Sequence, residues 1–229
     1  TGGNVSKIIK IEAGVFKAPL KLSEKLEQDR DFYMQVILDA QKRIRTFAEE
    51  FKWKDLITDP FFKGVEIYSD KKDFDNALRK SLKLHKDFII PESACAALEN
   101  EILFSVSKEL YRKIYPEGDE QNAFEKLLAH EIAHRLHIRI LEGNEDAMGP
   151  IWFFEGFAIY AAGQFEGDKT KLTKTEIKKV ISTQDRISYR KYALVIREIL
   201  KKISLHEAVM NAFREDFNEW IVKDVIRDL

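Results

Sequence analysis

The sequence predicts an α+β protein, with strands confined to its N-terminal half and helices filling its C-terminal half. Three observations support this. Short runs rich in β-branched residues occur among helical segments up to about residue 118. Past residue 119, apolar residues recur at spacings of three and four almost throughout. The chain also has no internal repeat and no low-complexity tract, so it is not a repeat array or a disordered chain.

The N-terminal half is predicted to hold short strands around two helical segments. Residues 5–16 carry β-branched residues and predict a strand or hairpin. Residues 22–52 follow a helical rhythm, with charged residues between apolar ones. The remaining elements predicted here are a strand at 65–68, a helix at 70–83, and strands at 88–90 and 102–106.

The C-terminal half begins after a break formed by Pro116, Gly118 and nearby charges. Apolar periodicity then predicts one helix after another. These helices are expected near residues 120–142, 152–165, 173–184, 188–203 and 205–227. A cleft between a strand-containing half and a helical half is a natural place for a binding site.

Charge and hydropathy exclude several classes of protein. The formal net charge is -1, from 38 basic and 39 acidic side chains, so no bulk field favours nucleic acid or an anionic membrane. No run of about 18 apolar residues exists, so we expect no membrane span.

Cys95 is the only cysteine, so the chain cannot form an internal disulfide. It lies among alanines, and we expect a small buried residue rather than a nucleophile. No signal peptide is visible, although the chain opens Thr1-Gly2-Gly3 without methionine, as a processed protein or a fragment would. The compartment is left open, with the cytoplasm favoured.

The strongest functional signal is the run His130-Glu131-Ile132-Ala133-His134. Its two histidines are four residues apart in a helical stretch, so they share one helix face about 6 Å apart. Two imidazoles placed in this way can converge on a zinc ion that keeps one position open. Glu131 can then act as a general base without being a ligand. With only five histidines in the chain, a chance occurrence has odds of roughly one in a hundred.

Glu155 is the candidate for the third ligand. It lies in the apolar segment WFFEGFA at 152–158, where a buried carboxylate is costly unless it is paired or bound to a metal. Twenty residues separate it from His134, enough for one helix to end, a loop at 143–150 to turn, and a second helix to return.

At these residues the chain resembles the gluzincin metallopeptidases, in particular the catalytic domain of aminopeptidase-N-like enzymes, which pair H-E-x-x-H with a downstream W-x-x-E-G-F-A. The resemblance implies a zincin-like (thermolysin-like) fold with a small mixed sheet, and a Zn²⁺ cofactor. It also implies His130, His134 and Glu155 as ligands and Glu131 as the base. It covers about residues 91–204. We therefore expect an N-terminal region, 1–90, of unassigned role and a catalytic region, 91–229, together forming one compact two-lobed domain.

The resemblance extends downstream to a tyrosine. The family carries a segment like I-T-Y-x-K-G-A on a helix after the third ligand, and residues 187–193, ISYRKYA, are similar. This match implies Tyr189 as the hydroxyl that stabilises the oxyanion. Tyr192 stands where the family usually has glycine and is the fallback candidate.

Upstream, aminopeptidases carry G-A-M-E-N on an edge strand, whose glutamate holds the free amino group of the substrate. Residues 96–100, AALEN, are a degenerate match, with alanine and leucine in place of glycine and methionine. Glu99 is therefore either a substrate anchor or an acidic residue that begins a strand. The strand predicted at 102–106 is a further candidate for binding an extended substrate by edge pairing.

His137 follows His134 by three residues and extends the pattern to H-E-x-x-H-x-x-H. A metzincin would need glycine at this point and a histidine three residues later, where this chain has His137 and Ile140. We therefore expect His137 either to orient a metal-ligating side chain by contacting it, without binding the metal itself, or to be partly exposed.

The predicted function is hydrolysis of peptide or protein substrates by a zinc-activated water, with Glu131 as the base and Tyr189 holding the oxyanion. Two alternatives stay open. Gluzincin sites can also open epoxides, which would make the chain a non-peptide hydrolase, or the chain is a catalytically silent binding module. An intact Glu131 and Tyr189 argue against the silent module. Residues 1–90 are also candidates for an autoinhibitory cover. Oligomeric state and endo- versus exopeptidase action are left open.

Overall fold

A computed structural model describes residues 7–229, so residues 5 and 6 of the predicted N-terminal strand lie outside the described residues. The protein is α+β as predicted, with small sheets in its N-terminal half and mostly helices after them. Its contacts divide it into two compact units, which meet in the sequence between Ile132 and Ala133. The predicted boundary at residue 90 stays a prediction. Among residues 7–229, none of the helices combines the length and the apolar composition that crossing a membrane requires.

Six strands form two sheets in the described chain. They are β1 (Ile9–Glu12), β2 (Val15–Lys17), β3 (Leu20–Leu22), β4 (Gly64–Tyr68), β5 (Ala96–Glu99) and β6 (Ile102–Val106). β1 and β2 pair antiparallel, which confirms the hairpin predicted there. The other four form a mixed sheet in the order β3-β4-β6-β5. Its pairs are parallel except for β5, which runs antiparallel to β6.

The sheet corrects two strand predictions. Residues 88–90 form no strand; Phe88 and Ile89 are exposed, and only Ile90 of the three is buried. The strand lies instead at β5, where pairing with β6 overrides the weak strand preference of its alanines. The prediction that a substrate pairs with the edge of β6 is also wrong, because β6 is hydrogen-bonded to β4 on one side and β5 on the other. The two edge strands of this four-stranded sheet are β3 and β5.

The first unit packs its hairpin and sheet with three helices. These are α1 (Arg30–Glu50), α2 (Lys71–Ser81) and α3 (Lys108–Ile114). Gln41 of α1 fastens the hairpin to this helix, because it accepts a hydrogen bond from Phe16 N at 2.9 Å and donates one to Phe16 O at 2.8 Å. Helix α3 was not predicted; the Ser107 side chain caps it by accepting a bond from Leu110 N at 3.2 Å.

Helix α4 (Ala123–Ile140) continues across the division between the units, and the remaining helices belong to the second unit. These are α5 (Ile151–Ala162), α6 (Lys174–Ser182), α7 (Tyr189–Leu200), α8 (Leu205–Asn211) and α9 (Phe217–Trp220). The single helix predicted at 205–227 is therefore broken. At the break, Arg214 binds Asp216 through Nε and Nη2, both at 2.8 Å. A π-helical turn at Ile221–Val225 follows α9.

Helix α5 carries apolar side chains on nearly all of its faces, and most of its residues are buried. The turn before it requires glycine at Gly149, whose φ is +92° and where an added Cβ would lie 2.8 Å from Ala212 Cβ. Gly163 ends the helix in the left-handed conformation, at a φ of 73°. α5 packs along α7, and an added Cβ at Gly156 would lie 3.4 Å from Ile196 Cβ. This packing fixes the position of Glu155.

Candidate metal centre

Helix α4 carries both histidines of the predicted metal site on one face. The helix is continuous from Ala123 to Ile140, so His130 and His134 lie one turn apart, as predicted. His130 is only 2% exposed, and the His134 side chain is 19% exposed. One ligand candidate is therefore buried and the other is partly accessible.

His130, His134 and Glu155 come together as the sequence predicts. Each offers one possible ligand atom, and these atoms all lie within 4.8 Å of one another. His134 Nε2 lies 3.5 Å from Glu155 Oε2. Glu155 is 2% exposed, which shields its carboxylate from water. Two imidazoles and a carboxylate are donors that zinc accepts, so this group fits a zinc ion.

Glu155 also has a charged neighbour that the sequence did not indicate. Arg186 Nη1 donates a hydrogen bond to Glu155 Oε1. The two carboxylate oxygens therefore face different groups, because Oε2 lies toward His134. A buried carboxylate needs such a partner, so the burial of Glu155 is explained by Arg186 as well as by a metal.

Arg186 also contacts the candidate tyrosine. Its Nη1 donates to the Tyr189 hydroxyl at 3.3 Å, and its guanidinium lies 5.9 Å from the ring centroid of Phe154. Partial burial acts to lower the pKa of Arg186, but the charge of Glu155 and the contact with Tyr189 outweigh it and leave the pKa raised.

A sequence signal for Arg186 exists in hindsight. The residue lies just before the N-terminus of α7, where the helix dipole disfavours a cation. A basic residue in such a place suggests an acidic partner, but Arg190 and Lys191 lie in the first turn itself, so this signal does not single out Arg186. The sequence alone cannot say that this partner is Glu155, 31 residues away.

The two candidate tyrosines have different environments. Tyr189 is the first residue of α7 and is half-buried. Tyr192 is fully buried, and its hydroxyl accepts a hydrogen bond from Ile187 N at 3.0 Å and donates one to Asp185 O at 3.5 Å. The Tyr192 hydroxyl therefore holds the backbone before α7, whereas the Tyr189 hydroxyl lies beside Arg186, which binds Glu155.

The two remaining predicted site residues are glutamates on separate elements. Glu131 lies on α4 beside His130 and is half-buried. Glu99 is the last residue of β5, opposite Ile102 of β6, and is also half-buried. Glu99 thus ends the edge strand rather than beginning a strand. Its role as a substrate anchor and the role of Glu131 as a base stay predictions.

His137 lies in an apolar environment that the sequence did not indicate. It is fully buried, so the prediction of partial exposure is wrong. Its ring stacks on Phe157 at 4.3 Å and meets Phe153 edge-on at 5.9 Å. Among residues 7–229, neither ring nitrogen of His137 has a hydrogen-bond partner. It therefore supports no ligand through a hydrogen bond.

Cys95 is a small buried residue, as predicted. It is 5% exposed, and burial raises the pKa of its thiol to about 12. The thiol is therefore protonated at neutral pH and is not a nucleophile there.

Comparison of the chain with models of protein families, with curated proteins and with solved structures finds no match. The case for a function therefore depends on the residues and their geometry.

Proposed function

We propose that this protein is a zinc metallopeptidase of the gluzincin type with a zincin-like fold, whose metal is held by His130, His134 and Glu155. The observation that carries the proposal is the convergence of these three donors within 4.8 Å. Two imidazoles and one carboxylate leave a fourth zinc position open, which is typical of catalytic rather than structural sites. When bound, zinc supplies a Lewis acid that polarises a carbonyl group and makes water a stronger acid.

The chain supplies a base and a hydrogen-bond donor for the reaction. Glu131 adjoins His130 on α4, and its carboxylate would take the proton of the water that attacks the scissile carbonyl. The same carboxyl group would then pass the proton to the leaving amine. Tyr189 would donate its hydroxyl proton in a hydrogen bond to the oxyanion that forms. A silent binding module would need neither group, so their presence favours an enzyme.

Zinc-dependent cleavage of peptides is the direct test of this proposal. Protein stripped with a chelator and reloaded with Zn²⁺ should hydrolyse members of a mixed peptide library, detected by mass spectrometry, and the stripped protein should not. His134→Ala should lower zinc affinity by more than the roughly 10- to 100-fold expected for losing a group that only supports a ligand.

His206→Ala is the matched control, because His206 is exposed on α8 and outside the proposed site. This variant should bind zinc and cleave peptides like the parent protein. A zinc-loaded protein that cleaves no peptide in the library would refute the proposed activity.

The two tyrosines give a paired prediction. Tyr189→Phe should lower kcat by about 10²- to 10³-fold, because one oxyanion donor is lost, and should leave stability nearly unchanged. Tyr192→Phe should instead lower the free energy of unfolding by about 1 kcal/mol, because Ile187 N loses its acceptor. Steady-state kinetics and urea denaturation of both variants measure the two effects. An active Tyr189→Phe and an inactive but stable Tyr192→Phe would reverse the assignment.

A further inference from the structure

Arg186 uses only one of its three guanidinium nitrogens for hydrogen bonds within the described chain. Nη1 donates to Glu155 Oε1 and to the Tyr189 hydroxyl. Across residues 7–229, Nε and Nη2 of this side chain make no hydrogen bond, and the side chain is 56% exposed. One edge of the guanidinium therefore faces solvent with its donors available.

This edge is the one with which arginines of the same protein bind carboxylates. Arg30 holds Glu27 through Nε at 2.9 Å and Nη2 at 2.8 Å. Arg214 holds Asp216 through the same two atoms, both at 2.8 Å. The two parallel donors match the two oxygens of a carboxylate, which gives a bidentate and directional pair.

The available edge lies beside the groups of the proposed reaction. Opposite that edge, Nη1 touches the third ligand candidate, Glu155, and the oxyanion donor candidate, Tyr189. The guanidinium also lies 5.9 Å from the centroid of the Phe154 ring, within cation–π range. A carboxylate bound at Nε and Nη2 would thus be separated from Glu155 and Tyr189 by one guanidinium group.

We propose that Arg186 is a specificity-determining residue that binds a carboxylate of the substrate, so that the enzyme prefers peptides with a carboxylate near the scissile bond. The carboxylate belongs either to an acidic side chain or to a free C-terminus. The inference rests on the proposed peptidase function. Arg186 keeps its contact with Glu155 through Nη1 while the opposite edge binds the substrate.

Binding of matched peptides tests the preference without turnover. The peptides would be alanine-based hexapeptides in matched pairs. In one set, each pair has Glu or Gln at the same position, and the position is varied from pair to pair. In one further pair, the two peptides differ only in having a C-terminal acid or a C-terminal amide. Binding to zinc-loaded Glu131→Gln protein would be followed by calorimetry. In at least one matched pair, we expect the acidic peptide, with Glu or a C-terminal acid, to bind about 10-fold more tightly than the neutral peptide.

Variants of Arg186 then assign the preference to this side chain. Arg186→Gln should remove it, and Arg186→Lys should keep only part of it, because an ammonium is a point charge without a fork. Arg190→Gln is the control, in the first turn of α7, the helix that follows Arg186. Its guanidinium is already bound to Asp168 at 2.5 Å and Thr170 at 3.0 Å, so the preference should persist.

The ratio of kcat/KM for the acidic and neutral peptides gives a second measurement, in which effects on zinc affinity cancel. Equal binding of all pairs, or a preference that survives Arg186→Gln, overturns the inference. If neutral peptides are hydrolysed without any such preference, the inference fails and the proposed function stands. If zinc-loaded protein hydrolyses no peptide at all, the proposed function itself fails.

Discussion

Glu131→Gln should reduce peptide hydrolysis by about 10²- to 10⁴-fold, the range that a general base contributes. Glutamine has the size of glutamate but cannot take a proton from the attacking water. The variant leaves His130, His134 and Glu155 unchanged, so zinc content measured by atomic absorption should equal that of the parent protein. The loss should appear in kcat, because the proton transfer belongs to the chemical step.

Glu125→Gln is the matched control for this variant. Glu125 lies on the same helix, α4, and pairs with Arg43 at 2.5 Å, outside the proposed site. The change removes the same charge from the same helix and should leave turnover intact. Full activity in zinc-loaded Glu131→Gln would rule out Glu131 as the base and would leave the metal site untouched.

His137 should make the protein acid-sensitive. Burial, and then the nearby His134, lower the pKa of His137 from 6.5 to about 3 in the folded state. Below pH 6.5 the unfolded chain takes up a proton that the folded protein does not. The contribution of neutral His137 to the free energy of unfolding is therefore fully present above pH 6.5. Below that pH, the free energy of unfolding should fall by about 1.4 kcal/mol per pH unit toward pH 3.

Urea denaturation of the parent protein and of His137→Phe between pH 4 and pH 8 measures this contribution. The phenyl ring keeps the aromatic contact with Phe157 and does not titrate, so the slope assigned to His137 should be missing. His85→Gln is the control, because this histidine is 73% exposed and should leave the slope in place. Parallel stability curves for the parent and His137→Phe would show that the buried imidazole is not the cause.

The helices of the proposed site were predictable from local spacing. The pair His130 and His134 needs only one helical turn, and the apolar run around Glu155 needs only a helix that buries all its faces. Both patterns depend on residues close in sequence. The resulting helices α4 and α5 agree with the predicted ranges to within three residues at each end.

The features that the sequence missed depend on distant partners. The apolar run at 88–90 has the composition of a strand but pairs with none in the described sheets, whereas the alanines of β5 are held by β6. The contact between Arg186 and Glu155 likewise joins segments that only the packing of α5 and α7 brings together. Apolar periodicity predicts which face of a helix is buried, but it does not predict which charged side chain pairs with a buried carboxylate.

The pairing of Arg186 with Glu155 has a consequence for the folding of the second unit. A carboxylate that is 2% exposed would oppose folding if its charge were uncompensated. Here the chain brings its own counterion, so α5 can be buried with its charge balanced by the polypeptide alone. Balancing the buried charge of Glu155 during folding of the second unit therefore does not require an ion as a template.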